Sequence, residues 1–114
     1  MGSFEVQRKN MVDNQVRPSD VTDRRIVRVM LDIPRELFVP EELQSLAYSD
    51  QELRVSSAGA ASARYLAPPG LLAKMVQGLE LGDDDIVLHV GSGTGYGSAV
   101  LSKIAKKVVA LAGR

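Results

Sequence analysis

The sequence contains no cysteine and no tryptophan, and it has no excess of charge of either sign. Without cysteine, the chain can form neither a disulfide framework nor a cysteine-ligated zinc site, and we assign it no metal site. The 14 basic and 14 acidic residues balance, which favours neither nucleic acid nor a membrane surface as a partner. Because no apolar stretch approaches the roughly 20 residues of a membrane span, we expect a cytoplasmic protein.

What the chain does contain is typical of a globular domain, with 45% hydrophobic and 25% charged residues over 114 positions. Residues 1–67 are predicted to form a region of helices and loops. Residues 1–18 of this region are polar, and Ser19 has the hydroxyl of a helix N-cap. The sequence therefore predicts a helix from about Ser19 to Asp32, with an apolar face made of Ile26, Val27, Met30 and Leu31.

Two prolines divide the segment that follows. Pro34 cannot continue the helix, and a second short helix is predicted to start at Pro40. The stretch 48–67 is rich in serine, alanine and glycine and has no sustained period. It predicts loops or weak extended segments.

Residues 68–114 have the pattern of alternating helices and strands. The predicted elements are a helix from Pro69 to near Gly82, a strand at Ile86 to Val90, a helix from Tyr96 to Lys106 and a strand at Val108 to Ala112. Because the first strand is continuously apolar, we expect it to be buried on both faces of a parallel sheet. Strand, loop, helix and strand make one βαβ unit.

The loop of that unit is Gly91-Ser92-Gly93-Thr94-Gly95-Tyr96, at the junction where such sheets bind nucleotides. A dinucleotide fingerprint needs glycine where Tyr96 stands, and a phosphate loop needs a lysine followed by serine or threonine, which is absent. The remaining interpretation is the glycine pattern of class I methyltransferases that bind S-adenosylmethionine. The alternative is a glycine-rich turn without a ligand.

Several blocks resemble the protein-L-isoaspartate O-methyltransferase family, in the same order and at similar separations. They are the proline-arginine-glutamate segment Ile33 to Pro40, Ala47-Tyr48-Ser49-Asp50, the helix Pro69 to Leu81, the glycine loop with Ala99-Val100-Leu101, and Met11 to Arg17. The resemblance implies an α/β, Rossmann-like methyltransferase fold that begins with amino-terminal helices.

The resemblance also implies a function in protein repair. The implied reaction transfers a methyl group from S-adenosylmethionine to the α-carboxylate of an isoaspartyl residue in a protein or peptide. Residues Gly91, Ser92, Gly93, Thr94, Gly95 and Tyr96 are expected to hold the cofactor. No catalytic residue is assigned.

Three positions depart from the family pattern. Aligning the family's threonine-isoleucine-serine-x-proline segment on Pro69 places Ala67 where the serine stands. His89 occupies the place of an acidic residue, and we expect a core histidine without a catalytic role there. Ala112 stands where a carboxylate would hold the ribose, so weak cofactor binding is expected.

Only two parallel strands precede Arg114, so the sequence looks like a truncated methyltransferase. Open strand edges and uncovered apolar helix faces predict a homo-oligomer or an unstable fragment. The alternative function is a non-catalytic nucleoside-binding or protein-interaction module derived from the same fold.

Overall fold

The computed structural model describes residues 3–55, 64–90 and 94–111. The α-helices are α1 (Phe4–Met11), α2 (Arg24–Asp32), α3 (Pro69–Gly78) and α4 (Tyr96–Ser102). The strands are β1 (Leu53–Arg54), β2 (Tyr65–Leu66), β3 (Ile86–Val90) and β4 (Lys107–Leu111). A π-helical turn (Val12–Val16) and three 3-10 helices (Arg17–Ser19, Arg35–Phe38 and Glu41–Leu46) connect them.

Residues 4–18 are helical, although the polar composition of this part of the chain gave no sign of a helix. The hydroxyl of Ser3 caps α1 by accepting the Val6 amide at 3.2 Å. The π-helical turn then places Met11, Val12 and Val16 in the core. A few apolar residues therefore hold a mostly polar segment against the rest of the molecule.

The helix predicted from Ser19 begins five residues later. Asp20 adopts a left-handed conformation with φ of 62°, which interrupts the helical path. Asp23 is the actual N-cap of α2, and its carboxylate accepts the Arg25 amide at 2.9 Å. The hydroxyl of Ser19 instead donates to the Gln15 carbonyl at 2.7 Å. The predicted end of α2 before Pro34 is confirmed.

The middle of the chain is built from short elements. The helix predicted at Pro40 is the 3-10 helix that starts at Glu41. The weak extended segments predicted within 48–67 are confirmed at β1 and β2, where Leu53 pairs with Leu66 in an antiparallel register.

Helix α3 ends at Gly78, earlier than predicted, because Glu80 adopts a left-handed conformation with φ of 50°. Near its end, Gln77 provides hydrogen bonds to the loop that precedes α2. The Gln77 side-chain oxygen accepts the amides of Thr22 at 2.7 Å and Asp23 at 3.0 Å, and its amide group donates to the Asp20 carbonyl at 3.0 Å. These bonds attach α3 to the start of α2.

The predicted βαβ unit is confirmed, but its helix ends at Ser102 rather than Lys106 and its second strand begins at Lys107 rather than Val108. Strands β3 and β4 pair in parallel, with Ile86 beside Lys107 and Val90 beside Leu111. Helix α4 connects them. The carboxyl ends of both strands consequently lie at the same edge of the sheet.

The expectation that β3 is buried on both faces is wrong. Ile86, Leu88 and Val90 are 67%, 62% and 69% exposed, and the neighbouring Val109 and Leu111 are exposed on the same face. Val87 and Val108, on the opposite face, pack against the core. In the described part of the chain, only one face of this sheet is covered.

The exposed apolar helix faces expected from the sequence are present on α3 but not on α4. Leu71 and Met75 of α3 and Leu79 after it are exposed, whereas Val100 and Leu101 of α4 and Ile104 after it are buried. One hydrophobic core joins residues from Met11 to Ile104 and crosses the predicted boundary at residue 67. The division into two domains stays a prediction. No helix in the described ranges has the length and apolarity to cross a membrane.

Candidate functional site

At the junction between β3 and α4, the described residues 94 and 95 lead into the start of the helix. Gly95 precedes α4 in a left-handed conformation with φ of 89°, which favours glycine because a side chain would be strained there. Tyr96 begins the helix as expected. The buried Thr94 hydroxyl has no hydrogen-bond partner among the described residues. The expected cofactor residues Gly91, Ser92 and Gly93, and also Ala112, lie outside the described residues.

The Tyr96 side chain is completely buried between two residues of the 3-10 helix Arg35–Phe38. The Phe38 ring meets the Tyr96 ring edge-on with a centroid distance of 5.7 Å. The Arg35 guanidinium carbon lies 4.8 Å from the centroid of the Tyr96 ring, a cation–π contact. Burial raises the pKa of the Tyr96 phenol, and the Arg35 charge opposes that rise. Tyr96 thus joins the glycine loop to the amino-terminal region.

Arg35 is fully buried, and among the described residues no carboxylate pairs with it. Its Nε donates to the Ala47 carbonyl at 2.6 Å, and its Nη2 donates to the Ala67 carbonyl at 2.9 Å. Within the described ranges, neither Nη1 of Arg35 nor the Tyr96 phenol makes a hydrogen bond of ordinary geometry. Burial lowers the pKa of Arg35, although an arginine stays charged at neutral pH.

His89 and Ser98 connect the two flanks of the glycine loop. His89 Nδ1 lies 2.6 Å from the Ser98 hydroxyl oxygen, so β3 and the first turn of α4 are bonded across the loop. A β-carbon added at Gly97 would lie 3.1 Å from the His89 ring, which shows how closely the ring approaches α4. His89 is partly buried with a bonded ring nitrogen, as expected of a structural histidine.

A second polar network lies behind Arg35. Arg8 of α1 donates to the Tyr48 hydroxyl at 2.9 Å and approaches the Glu36 carboxylate at 3.4 Å, while the Tyr48 hydroxyl donates to Glu36. Burial raises the pKa of Tyr48 to about 12. Although burial alone would raise the pKa of Glu36, the bonds from Tyr48 and Arg8 hold it below its usual value. The network attaches α1 to two of the segments that resemble the family.

The segment aligned with the family's serine contributes no hydroxyl to the junction. Tyr65 is exposed, Leu66 is buried in the core, and Ala67 provides the carbonyl that Arg35 binds. Sequence reasoning assigned Arg35 to a matched block but not to the site. Its only signal was its place in the proline-arginine-glutamate segment.

Comparison with known proteins gives a consistent result. The family profile described as protein-L-isoaspartate(D-aspartate) O-methyltransferase matches residues 6–113. The chain is 41% identical over 108 residues to a protein-L-isoaspartate O-methyltransferase from Herpetosiphon aurantiacus and 42% identical over 105 residues to one from Roseiflexus. The alignments cover 95% and 92% of this chain but 46% and 45% of those relatives. The chain therefore spans about half the length of the curated relatives it matches.

Solved structures agree on the fold. A protein-L-isoaspartate O-methyltransferase superimposes with a TM-score of 0.80 at 29% identity, covering 94% of this chain and 34% of that structure. A beta-aspartate methyltransferase from Plasmodium falciparum, in complex with S-adenosyl-L-homocysteine, gives 0.73 at 22% identity and covers 92% and 48% of the two chains. The α/β fold class predicted from the sequence is confirmed. Because the family profile extends over nearly the whole sequence, the chain belongs to the protein-L-isoaspartate(D-aspartate) O-methyltransferase family.

Proposed function

We propose that this chain carries the S-adenosylmethionine-binding loop of a methyltransferase that acts on isoaspartyl residues of proteins. The observation that carries the proposal is the β3–α4 junction, in which Gly95 takes a left-handed conformation at the carboxyl edge of a parallel pair. Ligands of open α/β sheets bind at this edge. The glycine pattern argues against the dinucleotide and phosphate-loop alternatives.

The residues present fit a ligand with polar groups. Of the buried side-chain atoms without a hydrogen-bond partner in the described part of the chain, Thr94 Oγ1 lies in the loop itself. A buried hydroxyl without a partner is costly, so a ligand that bonded to it would stabilise the loop. A side chain at Gly95 would meet no atom within 4 Å, so the limit at this position is backbone conformation rather than space.

In the proposed reaction, the main task of the protein is to align the methyl donor and the acceptor carboxylate. When bound, S-adenosylmethionine supplies an activated methyl group. An acceptor carboxylate is ionised at neutral pH, so no general base is required of this chain. The main chain and hydroxyls of Gly91 to Tyr96 would orient the reacting groups, and orientation alone contributes substantially to such rates. The Nδ1 atom of His89 is engaged with Ser98, which supports a structural role for this residue.

Calorimetric titration with S-adenosylhomocysteine tests the cofactor site. We expect weak binding by the chain itself, since Ala112 offers the ribose no carboxylate. Ala112→Glu should tighten binding by about 10- to 100-fold, because a hydrogen bond to a charged group contributes about 1.5–3 kcal/mol. Lys107→Glu is the matched control, since it adds a carboxylate at the opposite end of β4, beside Ile86. If both variants behave alike, the assignment of the ribose position is wrong.

A non-catalytic binding module is the second candidate function. It is favoured by Ala67, which has no hydroxyl at the position of the family's serine. Transfer of radiolabelled methyl groups to an isoaspartyl peptide distinguishes the two functions. Methyl transfer supports the enzyme, whereas cofactor binding without transfer supports the module.

Two further expectations stay proposals. The exposed face of β3 and β4 favours self-association of the chain, because its row of apolar side chains is uncovered. A cytoplasmic location, expected from the sequence, would be tested by cell fractionation.

A further inference from the structure

The buried charge of Arg35 is the least expected feature of the structure. Burying a charge is unfavourable unless it is paired, yet among the described residues Arg35 contacts two carbonyls and an aromatic face rather than a carboxylate, and its Nη1 has no partner. If the only requirement were to fill this space, burying a hydrophobic side chain of similar size would cost less free energy than burying an arginine. The geometry of its contacts suggests a more specific task.

Arg35 contacts three stretches of chain that are far apart in sequence. It binds the carbonyl of Ala47, which is 12 residues away, and that of Ala67, which is 32 residues away. Its remaining face lies on the ring of Tyr96. Ala67 is the position aligned with the family's serine, and Tyr96 is the exit of the glycine loop. A single planar group therefore connects the Ala67 segment with the residue that follows the glycine loop.

We propose that Arg35 is a positioning residue that fixes the Ala67 segment relative to the exit of the glycine loop. The importance of this position for activity rests on the proposed function, but the experiment below does not require a bound cofactor. The planar guanidinium directs its donors along fixed lines, whereas a lysine ammonium is a compact charge without that fixed geometry. The spacing of these two segments would then depend on arginine in particular.

Amide hydrogen exchange of the ligand-free chain tests this directly. The reporters are Leu72, whose amide bonds the Pro68 carbonyl at 3.0 Å next to Ala67, and Ala99, whose amide bonds the Gly95 carbonyl at 2.9 Å in the loop exit. In Arg35→Met we expect exchange at both reporters to rise by about tenfold or more, and Arg35→Lys should restore protection partly. Amides of α2 should change less than either reporter.

Arg8→Met is the matched control. Arg8 also contacts an aromatic ring and the 3-10 helix Arg35–Phe38, but its ring partner is Tyr48 rather than Tyr96. This variant should lower the thermal midpoint without selective exchange at Leu72 and Ala99. Equal acceleration at every amide in the Arg35 variants, or an identical pattern in Arg8→Met, would show that Arg35 only stabilises the fold.

A second variant, Tyr96→Leu, tests the proposal even if Arg35→Met does not fold. Tyr96→Leu removes the ring but leaves both carbonyl bonds of Arg35, so acceleration should be confined to Ala99 while Leu72 stays protected. Acceleration at both reporters would overturn the proposed connection. Titration of the parent chain and of Ala112→Glu with S-adenosylhomocysteine tests the proposed function separately. If neither binds, the proposed function is contradicted. The exchange pattern decides the role of Arg35 in either case.

Discussion

Two glycines of α3 provide a sharp test of packing between this helix and the amino-terminal helices. A β-carbon at Gly70 would lie 2.5 Å from the Ser19 hydroxyl oxygen and 2.8 Å from the Gln15 carbonyl oxygen. The hydroxyl can rotate away only by giving up its bond to Gln15, and the carbonyl belongs to the main chain of the π-helical turn. By contrast, a β-carbon at Gly78 would meet nothing within 4 Å.

The same substitution should therefore have opposite effects at the two positions. In Gly70→Ala, the gain in helix propensity and the loss of the Ser19 hydrogen bond are each about 1 kcal/mol and cancel. The remaining effect is overpacking, so we expect the free energy of unfolding to fall by about 1–3 kcal/mol. Gly78→Ala should stabilise by about 0.5–1 kcal/mol, because alanine restricts the unfolded chain more than glycine does.

Urea unfolding followed by far-ultraviolet circular dichroism measures both changes under one set of conditions. Ser19→Ala combined with Gly70→Ala should recover part of the loss, since it removes the nearer of the two obstructing atoms. If Gly70→Ala proves as stable as Gly78→Ala, α3 does not pack on the Arg17–Ser19 turn as described.

Two other expectations concern titration and association. Burial raises the pKa of Tyr48 from 10.0 to about 12, so its stabilising contribution is complete below pH 10 and disappears as the pH rises through about 12. Wild-type stability in urea should therefore fall by up to about 2 kcal/mol more than that of Tyr48→Phe over this range, and equal slopes would contradict the shift. In sedimentation velocity, the wild type should self-associate and Leu88→Lys should not, whereas Leu37→Lys, exposed elsewhere, should behave as wild type. A compact wild-type monomer with strong amide protection across β3 and β4 would contradict this expectation.

The carboxyl-terminal half could be predicted from the sequence because its signals are local. The apolar run at Ile86 and the glycines before Tyr96 specify strand, turn and helix within a few residues of themselves. Helix α1 gave no such signal, since Met11, Val12 and Val16 form its core contact within a polar stretch. The start of α2 was missed because a left-handed conformation at Asp20 is not encoded by a glycine.

Only part of the candidate site could be predicted from the sequence, because only part of it is specified by local signals. The glycine loop has a recognisable spacing, and Tyr96 was placed at the helix start. The contacts of Arg35 with Ala67 and Tyr96 depend on how distant segments pack, and nothing near Arg35 in sequence predicts that it is buried. The exposure of β3 was likewise not predictable, because an apolar run specifies a strand and not what covers it.

The side chain of Gln77 has a consequence for the order in which the molecule can assemble. Three hydrogen bonds join the loop before α2 to Gln77, which lies 54 to 57 positions further along the chain. Closing so large a loop costs entropy that local contacts cannot offset beforehand. Until α3 has been synthesised, the backbone groups of Asp20, Thr22 and Asp23 that bind Gln77 can bond only to water, so we expect this turn to reach its final arrangement late.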